Sequence, residues 1–298
     1  MRISGSMDTT DFELPRRSLF AMLPALLTAC SAADVLNATV PADTYRRTQD
    51  LPYGDHARQR LDIYQPVAGS ANAPMVVFFY GGSWSSGERG DYRFVGEALA
   101  SCGIVAVIAD YRLSPEFRYP VFVQDSALAV SWAAEHASAY GADPARIFVM
   151  GHSAGAYNAA MVALDPRWLA AQGLAPSRLA GWIGLAGPYD FLPIVDPQTR
   201  VAFSWPQTPA DSQPMAHVSP ASPPALLLAP AADRIVNSRR STVALAHKLQ
   251  ASGVRVDHEL LESVSHVTVL ASMALVLRFR APVLERVAAF VKSAGRPG

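Results

Sequence analysis

Gly151-His152-Ser153-Ala154-Gly155 is the stretch that decides how this chain folds. It follows Arg146-Ile147-Phe148-Val149-Met150, an apolar run with strand character, and it leads into residues 154–164, rich in Ala and Met, with helix character. A Gly-x-Ser-x-Gly set between a strand and a helix is a sharp, strained turn that lifts a serine hydroxyl clear of the backbone. Such a turn tolerates only small neighbours, and Gly151, Gly155 and Ala154 supply them. Without its flanks the pentapeptide is merely a Gly/Ser turn at a strand end. The strand before it and the helix after it make it informative.

Working outward, strand-like and helix-like segments alternate from about residue 45. Strands are expected at 45–53, 58–64, 74–80, 103–109, 146–150, 179–186, 225–229 and 255–261. Helices are expected at 91–101, 121–139, 154–164, 239–251 and 282–293. The alternation predicts an α/β fold: a mostly parallel central sheet of about eight strands with helices on both faces. Residues 187–223 break the pattern. They are rich in Pro, Asp and Ser with scattered aromatics, and read as a small cap insertion over the site. The chain has 298 residues, half of them apolar and 17% charged, with Lys+Arg equal to Asp+Glu. That is enough apolar material for one large core. The charge balance offers nothing to a polyanion, so no nucleic-acid partner is expected. Two cysteines, Cys30 and Cys102, cannot make a disulfide framework.

The first 44 residues stand apart from this catalytic domain, which is expected to span 45–298. Arg16-Arg17 precede an apolar run at 18–29, too short to span a bilayer as a helix. A basic region, a short apolar run and small residues at its end describe a secretory signal over residues 1–30. Its last residues, Leu27-Thr28-Ala29-Cys30, resemble the lipobox of bacterial lipoproteins. The resemblance implies export to the cell envelope, and a membrane anchor through lipid on Cys30. Residues 31–44 then read as a polar, Ala-rich tether.

The elbow at Ser153 is similar to the nucleophile elbow of the α/β-hydrolases, in which serine is followed along the chain by Asp or Glu and then by His. Serine needs an adjacent base, usually a histidine oriented by a buried carboxylate. After Ser153 the histidines are His217, His247, His258 and His266. His217 falls in the insertion, His247 in a helix and His258 in a strand. His266 falls in a polar loop just past the last strand, at the end of the sheet where active sites of open α/β proteins gather. Asp233 is the one carboxylate in the loop that follows the strand at 225–229, with Asp190 and Asp196 as reserves. The expected triad is therefore Ser153, Asp233 and His266.

Acyl transfer also needs donors aimed at the oxygen that becomes negative. The amide after the nucleophile, Ala154, is one. Tyr80-Gly81-Gly82-Ser83-Trp84 follows the third strand and offers the others. This segment resembles the His-Gly-Gly-x-Trp loop of the kynurenine-formamidase and esterase/lipase branch of the α/β-hydrolases. Asp110-Tyr111-Arg112-Leu113-Ser114-Pro115-Glu116 is similar to a segment of the hormone-sensitive-lipase-like esterases, and the pattern as a whole resembles that of BD-FAE-type proteins. The resemblance covers about residues 45–294. It implies a serine hydrolase acting on a small-molecule carboxylic ester without metal or organic cofactor. Gly82, Ser83 and Ala154 would donate to the oxyanion, and Gly81 would shape the loop. Tyr80 departs from the family histidine. A phenol is longer and carries one hydroxyl, so it either reshapes the loop or points into the pocket. Trp84, Tyr189, Phe191 and Trp205 are expected to line that pocket. The alternatives to a carboxylesterase are an arylformamidase cleaving N-formylkynurenine and a non-catalytic binding protein on the same fold.

Overall fold

The interior strands are runs of Val, Ile, Phe and Met in which consecutive side chains are buried. Residues 75–79, 105–109 and 147–150 are all wholly inaccessible. Because neighbouring side chains on a strand point to opposite faces, such a run requires cover on both sides of the sheet. The computed structural model describes Met1 and residues 32–69 and 71–293. The apolar run at 18–29 and Cys30 lie outside the described residues.

Eight strands form one sheet: β1 Tyr45–Pro52, β2 Arg60–Pro66, β3 Ala73–Phe79, β4 Val105–Ala109, β5 Ala142–His152, β6 Leu179–Leu185, β7 Ala225–Pro230 and β8 Val256–Leu261. Their order is β1-β2-β4-β3-β5-β6-β7-β8. β2 pairs antiparallel with β1 and β4, and every pairing from β4 to β8 is parallel. The helices are α1 Ala32–Ala38, α2 Arg93–Ser101, α3 Val121–His136, α4 Ala154–Leu164, α5 Pro166–Ala170, α6 Pro197–Ala202, α7 Ala244–Ala251, α8 Thr268–Ala271 and α9 Val283–Ser293. The architecture is the mostly parallel α/β sheet expected from the alternation, and the α/β-hydrolase fold that the resemblance implies.

Two segments carry more local structure than their composition announces. The first is the stretch read as a tether. Residues 32–38 form α1, whose Leu36 packs against the core. The Asn37 side chain donates to the carbonyl of Gly90 and accepts from the amide of Phe94. Ala-rich composition suits a linker and a helix equally, and Leu36 and Asn37 decide for the helix by finding partners far along the chain. Second, the insertion at 187–223 carries structure of its own. α6 is capped by the Asp196 carboxylate on the Thr199 amide, and two short 3-10 turns follow at Ala210–Ser212 and Pro214–His217.

Candidate active site

At the carboxyl end of β5 the chain turns through Ser153, held at φ 54° and ψ −121°, and enters α4. The turn depends on its two glycines. A Cβ on Gly151 would lie 2.1 Å from the carbonyl oxygen of Gly155, and one on Gly155 would lie 2.0 Å from that of Phe79. Both obstacles are backbone, which cannot step aside. The elbow is fixed from behind by the Ser153 amide, which donates to Leu185 at 2.9 Å.

The structure brings the three residues singled out in the sequence together. Ser153 Oγ lies 2.8 Å from His266 Nε2, and His266 Nδ1 lies 2.7 Å from Asp233 Oδ2. Asp233 follows β7. Its side chain is buried, and its other oxygen, Oδ1, accepts from the amides of Ile235 and Val236. Burial alone would raise this carboxyl. The hydrogen bond from His266 and the two amides outweigh it and hold Asp233 below the usual carboxylate range. An ionised Asp233 fixes the imidazole tautomer: Nδ1 carries the proton, and the Nε2 lone pair faces the serine hydroxyl. The loop that carries His266 is clamped by Ser265 and Thr268, each hydroxyl accepting from the other's amide.

A second histidine, His152, completes the arrangement and was not singled out in the sequence. Its Nε2 donates to the backbone oxygen of His266 at 2.7 Å. A Cβ placed on Gly81 would lie 3.2 Å from its Nδ1. Burial, with His266 nearby, lowers its pKa from 6.5 to about 4, so the ring is neutral and single-donor at neutral pH. It occupies the variable position before the serine, where no sequence pattern assigns a role. Only the tertiary contact shows that it ties the elbow to the His266 loop.

The loop after β3 lies against the serine. Gly82, Ser83 and Trp84 all have positive φ, at 115°, 51° and 57°. Among the described residues, none accepts a hydrogen bond from the amides of Gly82, Ser83 or Ala154. Unsatisfied amides beside a nucleophile suit a developing oxyanion. Tyr80 does not point into the pocket. It is buried, its hydroxyl donates to Asp110 Oδ1 at 2.8 Å and accepts from Arg58 Nη2 at 2.7 Å, and its ring stacks on Tyr92 and Tyr111. Asp110 is also bound by Arg89, which continues to Asp62 and Arg47. The phenol thus anchors the glycine loop to a buried ionic network.

Two cavities meet at Ser153. One, of about 360 Å³, runs under the insertion past Trp84, Phe191, Ile194 and Thr199. The other, of about 330 Å³, runs past His152, Phe94, Leu270 and Leu36 of α1. Trp84 and Phe191 therefore form the wall expected of them, with Trp84 Nε1 fixed on Asn158 Oδ1. Tyr189 and Trp205 do not. Tyr189 is wholly buried against Trp182, and Trp205 packs on the core and lines neither cavity. Aromatics in an insertion look alike in sequence whether they face a ligand or glue the insertion down.

Residues 61–249 match the BD-FAE family model. Isoprenylcysteine alpha-carbonyl methylesterase ICME of Arabidopsis thaliana is 34% identical over 152 residues, covering 50% of this chain and 36% of its own length. The probable carboxylic ester hydrolase LipM of Mycobacterium tuberculosis is 30% identical over 204 residues, covering 62% of this chain and 47% of its own. The chain thus matches less than half the length of either relative. Among solved structures, a truncated carbohydrate esterase from gut microbiota superposes with a TM-score of 0.72 at 18% identity, over 85% of this chain and 98% of that one. The esterase of Pyrobaculum calidifontis does so with a TM-score of 0.67 at 26% identity, over 88% and 89%.

Proposed function

This chain belongs to the BD-FAE family, and we propose that it is a serine carboxylesterase cleaving small-molecule carboxylic esters through an acyl-enzyme on Ser153. The observation that carries this reading is the unbroken hydrogen-bond relay from Ser153 through His266 to Asp233. Ser153 Oγ attacks the ester carbonyl while its proton passes to His266 Nε2, and Asp233 steadies the imidazolium at Nδ1. The oxyanion takes hydrogen bonds from the amides of Gly82, Ser83 and Ala154. His266 returns the proton to the departing alkoxide, which leaves as the alcohol. Water then repeats the sequence on the acyl-enzyme and frees the acid and the serine. The named ester hydrolases among the relatives support the same reaction class. One cavity receives the acyl part and the other the alcohol part. The apolar run at 18–29 followed by Cys30 supports a place in the cell envelope, with Cys30 carrying lipid.

The test is labelling with a fluorophosphonate beside hydrolysis of a p-nitrophenyl ester panel. Wild type is expected to label and turn over. Ser153→Ala is expected not to label and to lose about 10⁴-fold or more in kcat. A folded wild-type protein that neither labels nor hydrolyses any ester of the panel would show a binding protein on this fold instead.

A further inference from the structure

We propose that the rim of the active-site mouth is a lipid-docking surface, which holds the two cavities open to an apolar phase. Met1 aside, five large apolar side chains among the described residues are more than half exposed: Val35, Val195, Ile235, Val267 and Phe279. Single exposed hydrophobics are ordinary on any protein. Three of these five, however, line the two cavities beside Ser153, and a fourth lies on a helix that walls one of them. Val195 and Ile235 line the cavity under the insertion, and Ile235 and Val267 line the other. Val35 stands on α1 between Ala33 and Leu36, which line that second cavity too. The four come from α1, the insertion, the loop after β7 and the loop after β8. Their exposures run from 57% to 79%, so no described residue covers them. Exposed apolar side chains gathered at a concave site, interspersed with polar residues such as Asp196 and Arg234, mark an interaction surface.

The course of the chain indicates what covers it. α1 begins three residues after the apolar run at 18–29 ends. Three residues reach at most ~10 Å, so that run, or a lipid on Cys30, is joined directly to the wall of the mouth. Either would hold the rim against a bilayer. No helix among the described residues is long and apolar enough to cross a membrane. The rim's side chains enter the interface as the apolar face of a peripheral protein does. The occupant is therefore a lipid surface. The proposal rests on the esterase reading only for what the mouth then draws from that surface, an ester dissolved in the apolar phase.

The test uses the full chain with Cys30→Ser and Cys102→Ala, carrying an environment-sensitive fluorophore on Val35→Cys, Ile235→Cys or Val267→Cys. Val67→Cys is the control. It follows β2 in the turn before β3, at the opposite end of the parallel strands from Ser153. Vesicles of phosphatidylcholine and phosphatidylglycerol, with and without nitroxide-bearing acyl chains, are added. The three rim labels are expected to shift to the blue and to be quenched at least about threefold more than the label at position 67. Adding Val35→Asp should weaken vesicle partition about tenfold. Bound protein with unquenched rim labels would mean that the N-terminal run alone holds the membrane, and would overturn the proposal. So would equal quenching at position 67. Rim labels already shielded before vesicles are added would overturn it as well, in favour of a second copy if shielding grows with concentration, or of the chain's own N-terminal run if it does not. The readout needs no turnover. Hydrolysis of water-soluble p-nitrophenyl acetate by the same preparations tests the esterase reading separately.

Discussion

Ser153 and His152 are neighbours with opposite duties, one facing the cavities and one turned back into the protein. Ser153 sits in a left-handed backbone conformation that costs of order 1–3 kcal/mol for a residue other than glycine. Beside it, His152 Nε2 holds the carbonyl of His266. Removing this donor while keeping the bulk, as in His152→Leu, is expected to lower kcat by up to about a hundredfold through misplacement of the imidazole, with KM changed little. Steady-state kinetics on one soluble ester reads the split, and His152→Gln, which keeps a donor, should recover part of the loss. Tyr80 acts on the opposite side of the serine. Tyr80→Phe removes the hydroxyl that bridges Arg58 and Asp110, and should cost about 1–3 kcal/mol in urea unfolding. An unfolding curve identical to wild type would show that the ionic network holds the glycine loop without the phenol.

Among the elements, the β5–α4 elbow is the least tolerant of change. Gly155→Ala places a methyl group against the backbone of Phe79. α4 is buried along its whole length and cannot retreat from the sheet. The expected loss is more than about 3 kcal/mol, measured as a fall in the urea midpoint or as failure to accumulate soluble protein. The loop after β3 differs in kind. Its positive φ angles at Gly82, Ser83 and Trp84 are set by contacts on either side, with Trp84 locked by Asn158 and Tyr80 by Asp110. The sequence showed two glycines and a departure from histidine, but not that the tyrosine would face inward. α1 escaped notice because seven residues of Ala-rich chain carry no period of their own. Its helix is worth having only where Leu36 meets the core and Asn37 meets Gly90 and Phe94.

For the whole molecule the buried titrating groups set the response to acid. His152 has a folded pKa of about 4 against an ordinary 6.5. Between those values the unfolded chain binds a proton that the folded one refuses, so stability falls as pH drops from 6.5 towards 4. The loss is about 3 kcal/mol in all. Asp233, held below its ordinary 3.8, adds stability that is present above that value and is lost as pH falls further. Urea midpoints at pH 7, 5 and 4 should therefore decline, and His152→Gln should flatten the part between 6.5 and 4. A midpoint constant across that range in wild type would show that His152 is not buried as described.

The amino-acid sequence by itself determined what is local or periodic. Apolar runs of strand length separated by helical segments gave the parallel sheet, because burial on both faces leaves a continuous apolar signal. The spacing of two glycines around Ser153 gave the elbow, because backbone packing there admits no Cβ. The order of Ser153, Asp233 and His266 along that alternation placed all three at the same end of the sheet. Only the tertiary structure decided what depends on groups far apart in the chain. It turned Tyr80 inward and Tyr189 into the core, set His152 against the carbonyl of His266, folded α1 into the wall of a cavity, and gathered three exposed apolar side chains at the mouth. Tyr189 aside, which packs on Trp182 seven residues back, the deciding partner lies tens of residues or more away, and a hydrogen bond or contact at that separation leaves no period in the sequence for local pattern to reveal.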